Sequence, residues 1–483
     1  MKNKIFFLTT AAFSLLAGCS DDLNLYPTTE FTSNTFYQNE QQIALAVDDV
    51  YRQLGNHYDS RGLPALFGEL RSDNAYILQT AAGNDFLQQI SDFNVTANNG
   101  LIQVAWEQSY SAINICNNLL YQLENNVVEI EASEAAFMEA QVLTIRSLIY
   151  FNMVRAWGAV PFVDRRIGPE EAYDFQRTDS STIYGNLIND LNFAKETLPE
   201  AYTGNDIGRV TKYSAAAILA KIYFKTGDMT AAQSELEFII NSGFYSLDAN
   251  NDGEVNLNDY LFLFEPDTKN SKSSILEVQY LSGDNAFNSN HQIDYAPWSF
   301  DYYLPGQTRT FRGSGINTPT EDLAEEFENN DPRTSTTIRP GFTVISTGEF
   351  LAYPSTMKFY DPNFERAGQN FEIIRYADIL LMYAEITNDA QYLNMVRERV
   401  GLAPFGTSDY PFEEYPTLQL AIEHERRVEL AFEFHRFFDL VRTGRAIEVM
   451  SEYGYEINEN QFLFPIPLNE IDINPDIEQN PGY

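Results

Sequence analysis

The chain has 483 residues, of which 69 are Asp or Glu and 31 are Lys or Arg, so its formal net charge is −38. Nucleic-acid-binding proteins need a basic face, and this balance argues against that class. It also disfavours a polyanionic ligand, although a local basic pocket could overrule it. At about 150 residues per domain, the length allows two or three structural units around a large core.

The N-terminal residues have the layout of a secretory signal. Two early lysines precede the apolar run Ile5–Ala17, which is too short to span a bilayer, and small residues precede Cys19. A cysteine directly after Leu-Ala-Gly resembles a bacterial lipobox, so we expect residues 1–18 to be removed and Cys19 to be lipidated. An ordinary signal with a chance cysteine is the alternative. Several acyl chains would hold the protein at a membrane, because one chain binds only marginally; residues 19–40 would form the lipidated N terminus and a tether.

Apolar side chains that recur every three to four residues predict the helices. In Thr211–Tyr245, two helices should meet at Gly227-Asp228, with small alanines on the packing face. This pattern resembles a tetratricopeptide hairpin, which stacks on others because it cannot bury its apolar face alone. Cys116 lies in an apolar stripe and should be a buried thiol. The other predicted helices are Gln41–Leu54, Leu101–Leu123, Glu134–Trp157, Tyr376–Val400 with a break near Asn388, and Leu418–Arg442.

The stretch between Asp248 and Phe371 has a different composition. Glycine, proline, asparagine and aromatic residues dominate, and no helical spacing persists. Loops this long inside a compact protein usually carry function. Trp298, Phe300 and Tyr303 lie close together there, and aromatic rings offer flat apolar faces on which sugar rings stack. They predict a stacking platform for a sugar chain; the alternative is that they fill the core under a long loop.

A second candidate ligand segment is GELRSDNAYI, residues 68–77. Arg71, Asp73 and Asn74 have the donors and acceptors that bind sugar hydroxyls, and Tyr76 is able to stack. The alternative is an Arg–Asp pair that closes the loop.

The stretch DANNDGEVNLNDY, Asp248–Tyr260, places oxygen-bearing residues at alternate positions, as a calcium loop does. Gly253 would allow the sharp turn. Position 12 is Asp where the helix-loop-helix calcium motif has Glu, so the stretch resembles a dockerin loop more than a sensor loop. We expect a structural calcium ion, with a polar loop of chance acids as the alternative. The predicted ligands are Asp248, Asn250, Asp252, Glu254 through its carbonyl, Asn256 and Asp259.

No stretch of the sequence marks a catalytic centre. The four histidines form no HExxH pair, and there is no phosphate loop, GxSxG or Cys/His pair. Carboxylate pairs for glycoside hydrolysis depend on a geometry that a sequence does not show. We therefore expect no catalytic residues and a protein that is not an enzyme, with a surface glycoside hydrolase as a remote alternative.

The charged residues of ERRVELAFEFHRFFDLVRTG, residues 425–444, have the spacing of ion pairs on one helix face. We expect a structural role for them. They are Arg426, Arg427, Glu429, Glu433 and Arg436.

Several stretches resemble one known family, the SusD/RagB outer-membrane lipoproteins of Gram-negative bacteria, which are of the starch-utilisation type. Besides the lipobox and residues 425–444, they are EAQVLTIRSLIYFNMVRAWGAVPFV (139–163), RYADILLMYAEI (375–386), LNMVRERVGL (393–402) and FPIPLNEIDINPDIEQNPGY (464–483). The chain departs from the family pattern at Phe434, where a glycine is common, in the short segment between Ile386 and Leu393, and in the calcium loop, which looks like an insertion.

The resemblance implies a mainly α-helical fold, with tetratricopeptide-like helical repeats that support a loop-rich, aromatic-bearing ligand face. One SusD-like domain would cover residues 41–483. Its helical repeats would lie at about 41–245 and 372–445, and its loop-rich ligand-binding region at about 60–100 and 248–371.

The resemblance also implies a function. The protein would be a lipid-anchored, cell-surface outer-membrane protein that captures an oligo- or polysaccharide and delivers it to a SusC-type TonB-dependent transporter. The acidic composition favours a neutral glycan. The alternative is that the same scaffold binds peptides for import.

Overall fold

The structure of the protein is a computed structural model. The predicted signal, Cys19, most of the tether, and Phe300 lie outside the residues that it describes. In the described part of the chain, no helix is long and apolar enough to cross a membrane. The described residues are 37–78, 84–283, 286–299, 301–303, 310, 312–362 and 367–483.

The N-terminal half of the described chain is a stack of helices. Each helix from α3 to α7 packs against the next, and α1 packs against α3 and α4. The sequence pattern missed α2 and α5. α4 has buried side chains on all sides, as its all-round apolar character requires. The helices are α1 (Glu40–His57), α2 (Asp85–Ser91), α3 (Gly100–Glu124), α4 (Ala132–Trp157), α5 (Ser180–Thr197), α6 (Lys212–Thr226) and α7 (Met229–Ile240).

The α6–α7 hairpin turns where the sequence predicts it. Thr211 and Ser214 form a capping box at the start of α6, in which each side chain accepts the backbone N–H of the other. Gly227 ends α6 with φ +85°, a left-handed conformation that glycine adopts without a Cβ penalty. The Asp228 side chain then accepts the backbone N–H of Ala231 and caps α7.

The loop-rich region contains only short elements. The described strands pair two by two and antiparallel. While β2 pairs with β3 between α4 and α5 of the helical half, in the loop-rich region β1 pairs with β5, β4 with β10, β6 with β9, and β7 with β8. The helices here are α8 (Leu257–Phe262), α9 (His291–Tyr295), α10 (Glu321–Glu326) and α11 (Thr334–Thr337). The strands of the protein are β1 (Ala75–Tyr76), β2 (Val160–Pro161), β3 (Arg177–Thr178), β4 (Ser274–Val278), β5 (Thr318–Pro319), β6 (Ile338–Arg339), β7 (Phe342–Thr343), β8 (Phe350–Leu351), β9 (Ser355–Thr356) and β10 (Phe371–Arg375).

The chain returns to the helical scaffold after β10. Asn388, with φ +53°, separates α12 from α13, so the predicted break is confirmed. α12 packs on α7 and continues the stack. These helices are α12 (Tyr376–Thr387), α13 (Ala390–Arg399), α14 (Leu418–Glu429), α15 (Arg436–Arg442), α16 (Ala446–Glu452) and α17 (Leu468–Ile473).

The prediction of one helix over Leu418–Arg442 is wrong, because the chain turns between α14 and α15. Phe432 and Phe434 both have left-handed backbones, with φ +66° and +67°. The buried carboxylate of Glu69 accepts the backbone N–H of Phe432 at 2.9 Å and that of Phe434 at 3.1 Å. A residue distant in sequence therefore takes up the backbone donors of this turn.

The five charged residues predicted to form ion pairs along one helix face are buried and pair with other elements, so that prediction is wrong. Arg426 contacts Asp378 of α12 at 2.8 Å and Asp439 of α15 at 2.8 Å. The carboxylate of Glu429 lies within 3.0 Å of three guanidinium groups, those of Arg333, Arg375 and Arg399. Buried charges need such partners, because an uncompensated charge in the interior is costly.

Candidate functional site

The segment Gly68–Ile77 packs inwards. Asp73 is 1% exposed, and its carboxylate accepts hydrogen bonds from Arg436 at 2.8 and 2.7 Å. Arg427 lies 3.0 Å from the same carboxylate. Burial alone would raise the pKa of Asp73, but Arg427 and Arg436 stabilise the charged form and lower this pKa to about 2. Asp73 is therefore held in an ion-paired cluster with α14 and α15.

Asn74 belongs to the same cluster. Its amide group donates to Glu69 at 3.1 Å and accepts from Arg427 at 3.0 Å. Both ends of the side chain are thus used inside the protein.

Arg71 is also buried, in an aromatic cage. Its guanidinium carbon lies 4.7–5.1 Å from the centroids of four phenylalanine rings, and one N–H donates to the carbonyl of Gln461. Burial lowers the pKa of Arg71 to about 10, an effect that Tyr483 partly offsets. The prediction that Arg71, Asp73 and Asn74 face a ligand is therefore wrong, because all three side chains are buried. Among the described residues, Nε and Nη1 of Arg71 have no hydrogen-bond partner, but aromatic rings surround them. The four rings belong to Phe67, Phe93, Phe437 and Phe464.

Tyr76 differs from its neighbours in the segment. It lies on β1 and remains partly exposed. Burial raises the pKa of Tyr353, an effect that Trp298 partly offsets and to which Tyr76 adds a smaller contribution.

The loop after α9 and the strands β6–β9 form a surface that we call the aromatic patch. Tyr302 is its foundation: it is fully buried, stacks on Phe342 with ring centroids 4.5 Å apart, and donates its hydroxyl to the Pro297 carbonyl at 3.1 Å. Trp298 is partly exposed, and Tyr303 is 44% exposed. The patch comprises Trp298, Tyr302, Tyr303, Phe342, Tyr353 and Tyr360.

Two arginines border the aromatic patch. The guanidinium carbon of Arg312 lies 3.4 Å from the centroid of the Trp298 ring, so this cation covers one ring face. Arg339 of β6 lies 6.0 Å from the Tyr302 ring. Burial lowers the pKa of Arg339, an effect that Tyr302 and Tyr360 partly offset.

The patch has polar groups that the protein itself does not use. Among the described residues, no hydrogen-bond partner lies within reach of Nη1 of Arg339 or of the Tyr360 hydroxyl, although both atoms are buried. Burial raises the pKa of Tyr360 to about 12, so its hydroxyl stays protonated and able to donate. Buried polar atoms without partners are costly, and they often mark the place where a ligand or water binds.

The β7–β8 hairpin extends the surface. The carbonyl of Asp301 accepts the backbone N–H of Ile345 at 2.9 Å, which joins the hairpin to the patch loop. Ile345, Phe350 and Leu351 are exposed, at 40%, 61% and 47%. The combined surface therefore presents rings, aliphatic side chains and free hydrogen-bonding groups together.

The predicted calcium loop folds back on itself. The carboxylate of Asp248 accepts the backbone N–H groups of Asp252 at 3.0 Å and Gly253 at 2.8 Å. Asp259 is fully buried, and its carboxylate accepts the backbone N–H of Asn250 and of Asn256. Gly253 has φ +94°, so the predicted need for glycine at this turn is confirmed.

The acids of this loop do not form a compact metal cluster by themselves. In the residues that the structure describes, no three side chains of His, Cys, Asp or Glu are close enough together to hold a metal. A cation here would depend on the amide oxygens of Asn250 and Asn256 and the carbonyl of Glu254 as well, which are oxygen donors of the type that calcium prefers.

Family models match two parts of the chain. The profile of the SusD family matches residues 346–483, and a profile described as starch-binding and associating with the outer membrane matches residues 27–224. The chain belongs to the SusD/RagB family.

Individual SusD-like relatives match over nearly the whole chain. A SusD-like protein of Formosa agariphila is 26% identical, over 97% of this chain and 96% of the relative. A SusD-like protein of Bacteroides ovatus is 25% identical, over 91% of this chain and 82% of the relative.

Solved structures agree with the fold. A laminarin-binding SusD-like protein superimposes with a TM-score of 0.79 at 26% identity, covering 92% of this chain and all of that one. Surface glycan-binding protein A of Bacteroides thetaiotaomicron, solved with laminarihexaose, has a TM-score of 0.74 at 23% identity, over 92% of this chain and all of that one. The second likeness supports the SusD-like fold alone.

Sequence reasoning missed several residues that belong to the aromatic patch or border it. Arg312, Arg339, Tyr353 and Tyr360 are 14 to 62 residues downstream of Trp298. The available signal was weak: tyrosines and arginines in a long region without helical spacing. The pairing of β6 with β9 and of β7 with β8 holds the region of Arg339, Tyr353 and Tyr360 together, and the loop before β5 brings Arg312 onto the Trp298 ring.

Proposed function

We propose that this SusD/RagB protein is a lipid-anchored, cell-surface glycan-binding protein. It captures an oligo- or polysaccharide on the aromatic patch and delivers it to a SusC-type TonB-dependent transporter in the outer membrane. Lipidation at Cys19 supplies the anchor.

The observation that supports glycan binding most directly is the composition of the aromatic patch. Sugars present apolar C–H faces and hydroxyl edges, and a site for them combines rings with a few well-placed polar groups. Trp298 and Tyr303 supply ring faces at the surface, and Arg339 and Tyr360 supply N–H and O–H donors that have no described partner.

The proposed ligand is a neutral glycan. A net charge of −38 repels polyanions at long range. The laminarin-binding relative and the laminarihexaose complex of a structural neighbour are consistent with a glucan. The proposed role is binding rather than catalysis, since the buried atoms without a described partner on Arg339 and Tyr360 are suited to hydrogen-bond a sugar hydroxyl.

Isothermal titration of the mature protein, residues 19–483, against neutral and acidic oligosaccharides tests the proposal. We expect one neutral class to bind. Trp298→Ala should weaken that binding at least about tenfold, since central aromatic residues contribute the largest share of binding energy. Tyr173→Ala is the matched control, because Tyr173 is 55% exposed and lines a groove beside α3 and α17, distant in the fold from the patch.

Two outcomes would overturn the glycan assignment. One is that no oligosaccharide binds to a protein that is folded. The other is that Trp298→Ala and Tyr173→Ala bind as the unmodified protein does. Binding of short apolar peptides instead would favour peptide import, to which the exposed aliphatic side chains of Ile345 and Leu351 are suited.

Delivery to a transporter has its own test. Purification of the lipidated protein from outer membranes in mild detergent should recover a TonB-dependent barrel in a fixed ratio. Recovery of the protein alone, after cross-linking in intact cells as well, would contradict this part of the proposal.

We also propose that residues 248–259 hold a structural calcium ion. Asp248, Asn250, Asp252, Asn256 and Asp259 would bind it through side chains and Glu254 through its carbonyl. Calcium at a hundredfold excess over its Kd would add about 2.7 kcal/mol of stability. The Tm should be higher in calcium than in a chelator, and this difference should be smaller in Asp259→Asn. Equal Tm values of the unmodified protein in calcium, magnesium and chelator would contradict the site.

A further inference from the structure

A second polar site lies in the helical scaffold, on elements that do not contribute to the aromatic patch. Helices α4, α6, α14 and α15 meet there, with α12 behind them, around a small cleft. Its volume of about 40 Å³ is room for a few water molecules, at roughly 10–15 Å³ for each water. We call it the basic cleft, because five basic side chains line it: Arg155, Lys221, Lys225, Arg426 and Arg442.

Three of these five cations are neutralised by carboxylates. Asp378 pairs with Lys221 at 2.5 Å and with Arg426 at 2.8 Å. Arg426 also contacts Asp439 at 2.8 Å. Arg442 pairs with Glu385 at 2.7 Å. The negative charges of Asp378, Asp439 and Glu385 thus neutralise the positive charges of Lys221, Arg426 and Arg442.

Arg155 has no such partner. Its guanidinium carbon lies 4.2 Å from the centroid of the Phe151 ring and 3.6 Å from that of Phe438, so the group packs against two aromatic rings. One N–H donates to the Asn152 side chain. Within the described chain, the buried Nε has no hydrogen-bond partner, and no carboxylate lies at ion-pair distance.

Lys225 is the second unbalanced cation. It lies at the mouth of the cleft, and the described residues offer its ammonium group no hydrogen bond or ion pair. Burial lowers the pKa of Lys225, and the nearby positive charges of Arg155 and Arg442 lower it further. Burial together with Lys221 lowers the pKa of His435, on the same cleft, to about 3, so that imidazole is neutral at pH 7 and changes no charge.

Two positive charges therefore remain in excess in a chain whose net charge is −38. Like charges held together in a partly buried cleft repel one another, and an anion between them would relieve the repulsion. The cleft is accessible, because an open groove of about 530 Å³ shares Phe224, Lys225 and Arg442 with it.

We propose that the basic cleft binds one small oxyanion, a sulfate, a phosphate or a carboxylate group. Arg155 donates from the edge of its guanidinium, which packs against aromatic rings, and Lys225 donates from its ammonium group. Both donor types form strong charge-assisted hydrogen bonds with such oxygens. The proposal is independent of glycan binding at the aromatic patch.

The test uses the mature protein and Lys225→Gln, with Lys272→Gln as the matched control. Lys272 is also exposed but lies in the loop-rich region, over the ring of Phe244, where it donates to the Phe244 carbonyl at 3.3 Å. Tm is measured in sodium sulfate, phosphate and acetate, each against sodium chloride of equal ionic strength. Sulfate stabilises most proteins by exclusion from their surface, so only a difference between variants reports a site.

We expect at least one oxyanion to raise the Tm, relative to chloride, in the unmodified protein and in Lys272→Gln. The same oxyanion should raise the Tm of Lys225→Gln by less. Titration calorimetry should show that its affinity falls at least about tenfold in Lys225→Gln. In chloride at low salt, Lys225→Gln should be at least as stable as the unmodified protein, since it relieves repulsion. Equal responses of all three proteins would overturn the proposal, as would crystals soaked in selenate with no anomalous peak between Arg155 and Lys225.

Discussion

The segment Gly68–Ile77 and the aromatic patch contain similar residue types in opposite surroundings. In the segment, Asp73 is buried with two arginines, whereas in the patch Arg339 has no described carboxylate partner. Arginine and tyrosine therefore do not by themselves mark a ligand site. What matters is whether the fold supplies each polar atom with an internal partner.

Asp73→Ala should have the largest effect, and it should act on stability. Removal of the carboxylate leaves Arg427 and Arg436 buried without their shared partner, so the free energy of unfolding should fall by about 3–5 kcal/mol. Denaturant unfolding measures it. Asp206→Ala removes an exposed partner of Arg209 and should cost less than about 1 kcal/mol. If the folded Asp73→Ala protein binds glycan more weakly, the segment Gly68–Ile77 contributes to ligand binding after all.

The pH dependence of stability should show the same ion pairs. Because the pKa of Asp73 in the folded protein is lowered to about 2, its carboxylate stabilises the fold above its ordinary pKa near 4. That stability should be lost as the pH falls from about 4 through 2, and it is on the order of 2 kcal/mol. Asp73→Asn should be less stable than the unmodified protein at pH 7, with a gap that narrows over this window. A difference in unfolding free energy that stays constant over this pH range would show that Asp73 does not titrate there.

Arg339→Gln should affect binding and leave stability nearly unchanged. The guanidinium has no described hydrogen bond to lose, so its proposed partner is the ligand. A charged donor to a sugar hydroxyl is worth about 1–1.5 kcal/mol, which predicts roughly fivefold to tenfold weaker glycan binding by calorimetry. Arg52→Gln, on the exposed face of α1, is the control. A loss of stability without a loss of affinity would make Arg339 a structural residue like Arg71.

Tyr360→Phe should have the smallest effect. Its hydroxyl is buried without a described partner, so removing it should not lower the Tm, while glycan affinity should fall a few-fold, or by about 0.5–1 kcal/mol. Tyr110→Phe is the opposite case, because the Tyr110 hydroxyl donates to the Pro161 carbonyl at 2.7 Å. It should lower stability and leave binding unchanged. The reverse pattern would undo the distinction between satisfied and unsatisfied hydroxyls.

The helical scaffold could be predicted in detail where local signals agreed. Gly227 and Asp228 mark the turn of the α6–α7 hairpin, and both act through their own backbone and near neighbours. Cys116 is fully buried, as its place in an apolar stripe predicts, and burial raises the pKa of its thiol to about 12. α5 was missed because its apolar stripe is narrow: Ile183, Leu187, Leu191 and Ala194 are buried, but polar residues separate them.

The candidate site was only partly predictable. Trp298 and Tyr303 reach the surface, and their binding of a glycan stays a prediction. The surroundings of Arg71, Asp73 and Asn74 depend on α14 and α15, more than 350 residues later in the chain. The break between α14 and α15 likewise needs Glu69, whose carboxylate takes two backbone N–H groups of the turn. Spacing within one segment contains no information about such partners.

Periodicity, capping and composition act over a few residues, so the sequence predicts the mainly helical class, the helix hairpin, the loop-rich region, the family resemblance and the acidic composition. Which polar side chains find a partner inside the protein, and which remain for a ligand, depends on the three-dimensional fold. That outcome depends on contacts between residues far apart in the chain, and in a buried setting each such contact decides whether a charge is stabilised or left in need of a partner.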